Sequence, residues 1–232
     1  MEGTLFGVGV GPGDPELMTY KAVETIERCQ VLAVPARGKE HAVSYKIAAG
    51  KVKHIEEKEY LNLDTPMTKD RQILEENYKK AAEKIINELK KGKDVAYLTL
   101  GDPTVYSTYI YIHRIVKEKG YHVEIINGIP SFCASLARLG DSLADRCEQL
   151  HIIPSSYAIT EALEYPGTKV LMKSASKLGE VKEELVRNHR EAEVKMVENC
   201  GMPEEHIYEN IDEIPETAGY YTLLVVKEPK NR

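Results

Sequence analysis

The feature that most constrains this chain is a short apolar run, Thr4–Val10, that dissolves into glycines at positions 7, 9, 11 and 13 before Asp14 and Pro15. An apolar run bounded by turn residues predicts a buried strand. Pro15 lacks an N–H and has a fixed φ, which suits the first position of a helix, with Asp14 as N-cap. Helical spacing follows from Leu17 to Ile26. The chain therefore turns sharply at a strand's carboxyl end, where open α/β sheets take their ligands.

The pattern then repeats. Val31–Val34 predicts a second buried strand, stopped by Pro35, and 41–49 a short helix. Thr68–Lys91 predicts the longest helix, with Leu74, Tyr78, Ala81, Ile85 and Leu89 on one stripe and Gly92 as its stop. Asp94–Leu100 predicts a strand, Ser107–Lys119 a helix, His122–Ile126 a strand and Pro130–Leu139 a helix. Such alternation implies a parallel sheet. The second half is less regular, with strands expected at 151–153, 168–172, 193–197 and 220–226 and helices at 159–164 and 178–188. Two α/β domains are expected, 1–122 and 123–232, the first with a mostly parallel sheet.

A second glycine turn, Gly101-Asp102-Pro103, ends the strand at 94–100. Asp102 has two possible uses. It can accept from ribose hydroxyls, or from neighbouring amides as an Asx-Pro turn capping the next helix. The backbone of Val105 and Tyr106 would then meet a polar ligand. A dinucleotide fits poorly. The Gly-x-Gly-x-x-Gly spacing cannot be placed, since its third position falls on Asp14 or Pro12. The second strand ends in Val34-Pro35-Ala36-Arg37, without a carboxylate for a ribose.

The net charge of −6 gives the whole molecule no nucleic-acid-binding footprint. No apolar run reaches the ~20 residues of a membrane span, and the N-terminus has no signal-peptide pattern, so a cytoplasmic protein is expected. Cys29, Cys133, Cys147 and Cys200 are too far apart in sequence for a zinc knuckle or a Cys-x-x-C pair and read as reduced thiols. No metal site is expected.

Taken together these residues resemble the tetrapyrrole (corrin/porphyrin) methylase family. Its G-x-G-P-G-D-P-x-L-x-T segment corresponds to Gly9–Asp14, Pro15, Leu17 and Thr19, and its G-D-P motif to Gly101–Pro103. A third segment is Asn127-Gly128-Ile129-Pro130-Ser131-Phe132, with Asn127 where proline is usual. Pro66–Asp70, Gly101–Tyr109 and Ser131–Ser135 are similar to the methyltransferases that act on carbon 20 of precorrin-2 or cobalt-factor II. The resemblance implies two α/β domains with S-adenosyl-L-methionine (SAM) in the cleft between them, a homodimer, and a tetrapyrrole acceptor. It assigns SAM to Pro12, Gly101, Asp102, Pro103, Val105, Tyr106, Ser131, Phe132, Met172 and Thr222, the last drawn from the pair Tyr221–Thr222. Gly11, Gly13 and Asp14 would border the acceptor. Arg37, Lys69 and Arg71, the last two in an expected lid at 58–71, would pair with its carboxylates.

Methyl transfer from a sulfonium needs in-line placement and exclusion of water more than acid–base help. No histidine falls in a motif, and His113 and His122 read as structural or surface residues. Tyr220 and Tyr221 are the candidates for a proton acceptor. Other tetrapyrrole methylases, and a nucleotide-binding module without catalysis, remain open on these residues. Replacing Arg37 with Ala is expected to raise the KM of the tetrapyrrole and leave SAM affinity alone; an unchanged KM removes Arg37 from the site.

Overall fold

In a computed structural model, which describes residues 1–35, 41–63, 68, 70–154, 159–174, 177–188 and 192–228, the chain forms two compact units, 1–130 and 131–232. The first apolar run is β1 (Leu5–Gly9). It leads through a single 3-10 turn, Pro15–Leu17, into α1 (Tyr20–Arg28). Asp14 caps the turn by accepting from the Glu16 amide at 2.8 Å, so the expected cap is real. The helix proper begins later, where Thr19 Oγ1 accepts from the Ala22 amide at 3.2 Å. Then follow β2 (Val31–Val34), α2 (Val43–Ala49), β3 (Glu59–Asn62), α3 (Arg71–Leu89), β4 (Val95–Thr99), α4 (Tyr109–Glu118) and β5 (Val123–Ile126).

The five strands of this unit form a parallel sheet of order β3-β2-β4-β1-β5. Every residue of β1, β2 and β4 is buried, as befits strands covered on both faces. Side chains alternate: Phe6, Val8, Leu32, Val34, Ala96 and Leu98 pack with α1 and α2, while Leu5, Val31, Ala33, Val95 and Tyr97 pack with α3 and α4. The expected stripe on α3 supplies buried Ala81, Ile85 and Leu89, and Asp70 caps the helix through the amides of Gln72 and Ile73. β1 and β4 are neighbours, yet the chain leaves β1 toward β2 and leaves β4 toward β5, on the far side of β1. Their carboxyl ends thus form a topological switch point.

Two sequence expectations shift. The domain division placed at 122/123 moves to 130/131, because β5 pairs with β1 (Val8 beside Ile126) and belongs to the first sheet. Part of the expected lid at 58–71 is β3, an edge strand parallel to β2; its alternation is hidden because Glu59 and Asn62 are exposed and only Tyr60 and Leu61 are half-buried.

The second unit contains α5 (Ser131–Arg138), β6 (Leu150–Pro154), α6 (Ile159–Leu163), β7 (Thr168–Met172), α7 (Leu178–Asn188), β8 (Glu193–Glu198), β9 (His206–Tyr208) and β10 (Thr222–Lys227). Its sheet is mixed, in the order β6-β7-β10-β8-β9, and only β6 and β7 run parallel. The last strand is the central one and wholly buried. It begins at Thr222, so the expected strand start at Tyr220 is corrected: the chain bends at Tyr220 and Tyr221, and Thr222 Oγ1 donates back to Gly219 O at 2.6 Å. β9 was missed because three residues carry too little periodicity to read. The four cysteines are free thiols. Among the described residues no helix is long and apolar enough to cross a membrane.

Gly7 shows how tightly the first sheet is covered. The ring of Tyr109, from α4, lies directly over it, where a Cβ would fall inside the ring. Tyr109 is fully buried, and its hydroxyl donates to Glu124 O at 3.3 Å and meets His113 Nδ1 at 2.9 Å. The ring therefore has nowhere to go. Gly7→Ala is expected to cost about 1–3 kcal/mol through overpacking, read as a lower urea midpoint; an unchanged midpoint would mean that the ring yields.

Candidate functional site

Three loops leave the carboxyl ends of β1, β4 and β5, and they meet backbone to backbone. Gly101 N donates to Gly11 O at 2.8 Å, and Gly11 N returns a bond to Gly101 O at 3.3 Å. Both glycines are left-handed, with φ of 80° at Gly11 and 69° at Gly101, which side chains rarely tolerate. A Cβ on Gly9 would lie 2.5 Å from Gly101 O and 2.6 Å from Gly128 N. A Cβ on Gly128 would overlap the Gly101 carbonyl. The switch point is thus floored by main chain.

Asp102 fastens these loops together. Its side chain is buried, with the residue 5% exposed. Oδ1 accepts from Thr104 N at 2.7 Å and from the Thr104 hydroxyl. Oδ2 accepts from Gly128 N and from Asn127 Nδ2, both at 3.0 Å. Burial alone would raise its pKa; the bonds from Thr104, Asn127 and Gly128 outweigh that and hold the carboxyl below the ordinary aspartate value. Both oxygens accept from neighbouring protein donors, two on Thr104 and two from the loop after β5. Thr99 and Ser107 add a hydroxyl pair at 2.8 Å, and Ser107 Oγ also accepts from Tyr109 N at the start of α4.

A sequence model of the Tetrapyrrole (Corrin/Porphyrin) Methylases matches residues 4–215. The chain belongs to this family. The methylase is 34% identical to the Methanocaldococcus jannaschii protein named "Probable cobalt-precorrin-2 C(20)-methyltransferase", over 97% of this chain and 96% of that one. It is 28% identical to a Sinorhizobium precorrin-2 C(20)-methyltransferase, over 99% and 97% of the two chains. In fold it is similar to a cobalt precorrin-4 methyltransferase, with a TM-score of 0.77 at 19% identity, over 97% of this chain and 94% of the other. It is also similar to a Thermus thermophilus uroporphyrin-III C-methyltransferase complexed with S-adenosyl homocysteine, with a TM-score of 0.72 at 21% identity, over 97% and 98%.

The residues expected to form the methylase's site fall in several places. In the first unit, Gly11, Pro12, Gly13, Gly101, Asp102 and Pro103 are buried at the sheet's carboxyl edge, with Asp14 and Val105 half-buried beside them. Tyr106 is 48% exposed and left-handed, with φ of 47°, a strained state for an aromatic residue. Arg71 is exposed at the first residue of α3. Arg37 and Lys69 lie outside the described residues.

In the second unit, Ser131 and Phe132 open α5, and Met172 ends β7. Thr222 opens β10. Tyr220 and Tyr221 stack edge to face, centroids 5.2 Å apart, 51% and 36% exposed. Desolvation raises both phenols above the ordinary tyrosine value, Tyr221 further through Tyr220 beside it. Neither is an anionic base at neutral pH; each offers a neutral hydroxyl.

Sequence reasoning passed over several residues. Asn127 and Gly128 stand in a motif of the sequence, but nothing local shows that they reach Asp102. The Ser135 and Ser174 hydroxyls are buried and have no hydrogen-bond partner among the described residues. They follow Ser131 and Met172 closely in the chain. Lys173 between them is left-handed, φ 59°, and desolvation lowers its pKa. The signal for Ser135 was present in the quoted Ser131–Ser135 segment; Ser174 had none.

The lowered pKa of Asp102 has a definite sign. A carboxyl that is more acidic folded than unfolded stabilises the protein above its unfolded value, about 3.9. That contribution disappears as pH falls through the folded value. Urea unfolding is expected to show stability falling below about pH 4. Asp102→Asn is expected to be less stable at neutral pH and to flatten that acid decline; an unaltered decline would place the titrating group elsewhere.

Proposed function

We propose that this chain is a SAM-dependent C-methyltransferase that methylates carbon 20 of precorrin-2 or cobalt-factor II in cobalamin biosynthesis. The observation that carries the reading is the 34% identity with a protein of that name over nearly the full length of both chains. The family membership supports methyl transfer to a tetrapyrrole.

The residues present suit SAM. The sheet edge offers buried main chain at Pro12 and Gly101–Pro103, and its one buried carboxylate is already satisfied. Ser135 and Ser174 keep hydrogen-bonding capacity to spare. Gly101, Asp102, Pro103, Val105, Tyr106 and Pro12 would hold the cofactor in the first unit, and Ser131, Phe132, Met172 and Thr222 in the second. SAM, when bound, supplies a methyl group already activated by its sulfonium.

The protein's part is orientation and dryness. Asp102 serves by holding the Gly101–Tyr106 backbone, while Gly11, Gly13 and Asp14 border the acceptor. Arg71, with Arg37 and Lys69, would pair with the ring's carboxylates. No residue is assigned as base, because Tyr220 and Tyr221 are poor proton acceptors. The reading carries with it a cytoplasmic homodimer.

The test incubates the protein with SAM and, separately, precorrin-2, cobalt-factor II and uroporphyrinogen III. S-adenosylhomocysteine is expected with one of the first two, with one methyl added to the ring. Turnover on uroporphyrinogen III alone would move the acceptor assignment. Turnover on none, without SAM binding, would overturn the methyltransferase reading.

A further inference from the structure

We propose that Asn127 is a positioning residue for the turn that presents Val105 and Tyr106 to the cofactor; this rests on the methyltransferase reading above. Asn127 touches both other loops at once. Its backbone carbonyl accepts from Thr19 Oγ1 at 3.2 Å, and its side-chain Nδ2 donates to Asp102 Oδ2 at 3.0 Å. Thr19 is itself the cap of α1. One residue at the end of β5 thereby ties the loop after β1 to the loop after β4.

The amide matters because of what stands on Asp102. A carboxylate 5% exposed needs its acceptor positions filled. The Thr104 amide and hydroxyl fill Oδ1; the Gly128 amide and Asn127 Nδ2 fill Oδ2. Above the carboxylate, Val105 N donates to Asp102 O at 3.2 Å, and the next residue is left-handed Tyr106. Strained backbone of this kind persists only where its surroundings over-determine it. Without the Asn127 amide, Oδ2 rests on the Gly128 amide alone, and the carboxylate keeps three of its four bonds. The turn then loses one of the constraints that hold Tyr106 in place. A proline at this position would keep the carbonyl for Thr19 but bring no amide to Asp102. Asn127 is thus an addition to the turn, specific in its chemistry and separable by mutation.

The experiment measures S-adenosylhomocysteine binding by calorimetry for the wild-type protein, Asn127→Ala, Asn127→Asp and Asn127→Gln. Circular dichroism checks each fold, and Asn127→Pro, which removes the same amide, replaces the alanine variant if that does not fold. Loss of a hydrogen bond to a charged group is expected to weaken binding about tenfold in Asn127→Ala. Asn127→Asp sets a second carboxylate against Asp102 and is expected to bind more weakly still. Asn127→Gln keeps an amide donor on a longer stem and should recover part of the loss, with the KM of the tetrapyrrole within about twofold of wild type throughout. Equal affinity in wild type, Asn127→Ala and Asn127→Asp would overturn the proposal, as would a KM of the tetrapyrrole that rises in parallel with the loss of binding. A wild-type protein that binds no S-adenosylhomocysteine is a different result: it refutes the methyltransferase reading and this inference with it.

Discussion

Everything at the carboxyl edge of the first sheet depends on the absence of two β-carbons. Gly9 and Gly128 let the main chains that leave β1 and β5 touch each other and the Gly101 carbonyl after β4. Any side chain at Gly9 or Gly128 would collide with the carbonyl of Gly101. The reciprocal bonds between Gly11 and Gly101 then close the switch point with backbone. A floor of this kind presents peptide groups at fixed positions and spends little entropy in holding them.

Three glycine loops in contact would still slide, and the Asp102 carboxylate prevents it. Buried and ionised, it is costly unless paired, so it enforces the positions of Thr104, Asn127 and Gly128 as much as they stabilise it. The same burial logic raises the phenols of Tyr220 and Tyr221 above the ordinary tyrosine value.

The two units differ in how their sheets are built, and this governs how well each could be read. In the first, strand and helix alternate, and strands buried on both faces give short continuous apolar runs. In the second, β10 is the last strand in sequence but pairs between β7 and β8. Its neighbours are remote in the chain, so no local pattern announces its place. Its start shows the same limit: Tyr220 and Tyr221 have strand-forming side chains, yet the chain bends at both, with Thr222 Oγ1 bonded back to Gly219 O.

The sequence by itself determined the alternating first half, the cap at Asp14 and the two glycine turns. These follow from short-range chemistry: φ freedom, missing N–H groups, side-chain period and local capping. The family, too, was legible, because its motifs are those same turns. Only the tertiary structure decided that Gly9, Gly101 and Gly128 share one contact, that β5 belongs to the first unit, and that Glu59–Asn62 is a strand. It alone brought the amides of Asn127 and Gly128 to Asp102, from more than twenty residues away, and a hydrogen bond across such a separation leaves no periodic trace in the chain. The opening glycines thus prescribed where a ligand crevice would form, while the fold determined what holds it rigid.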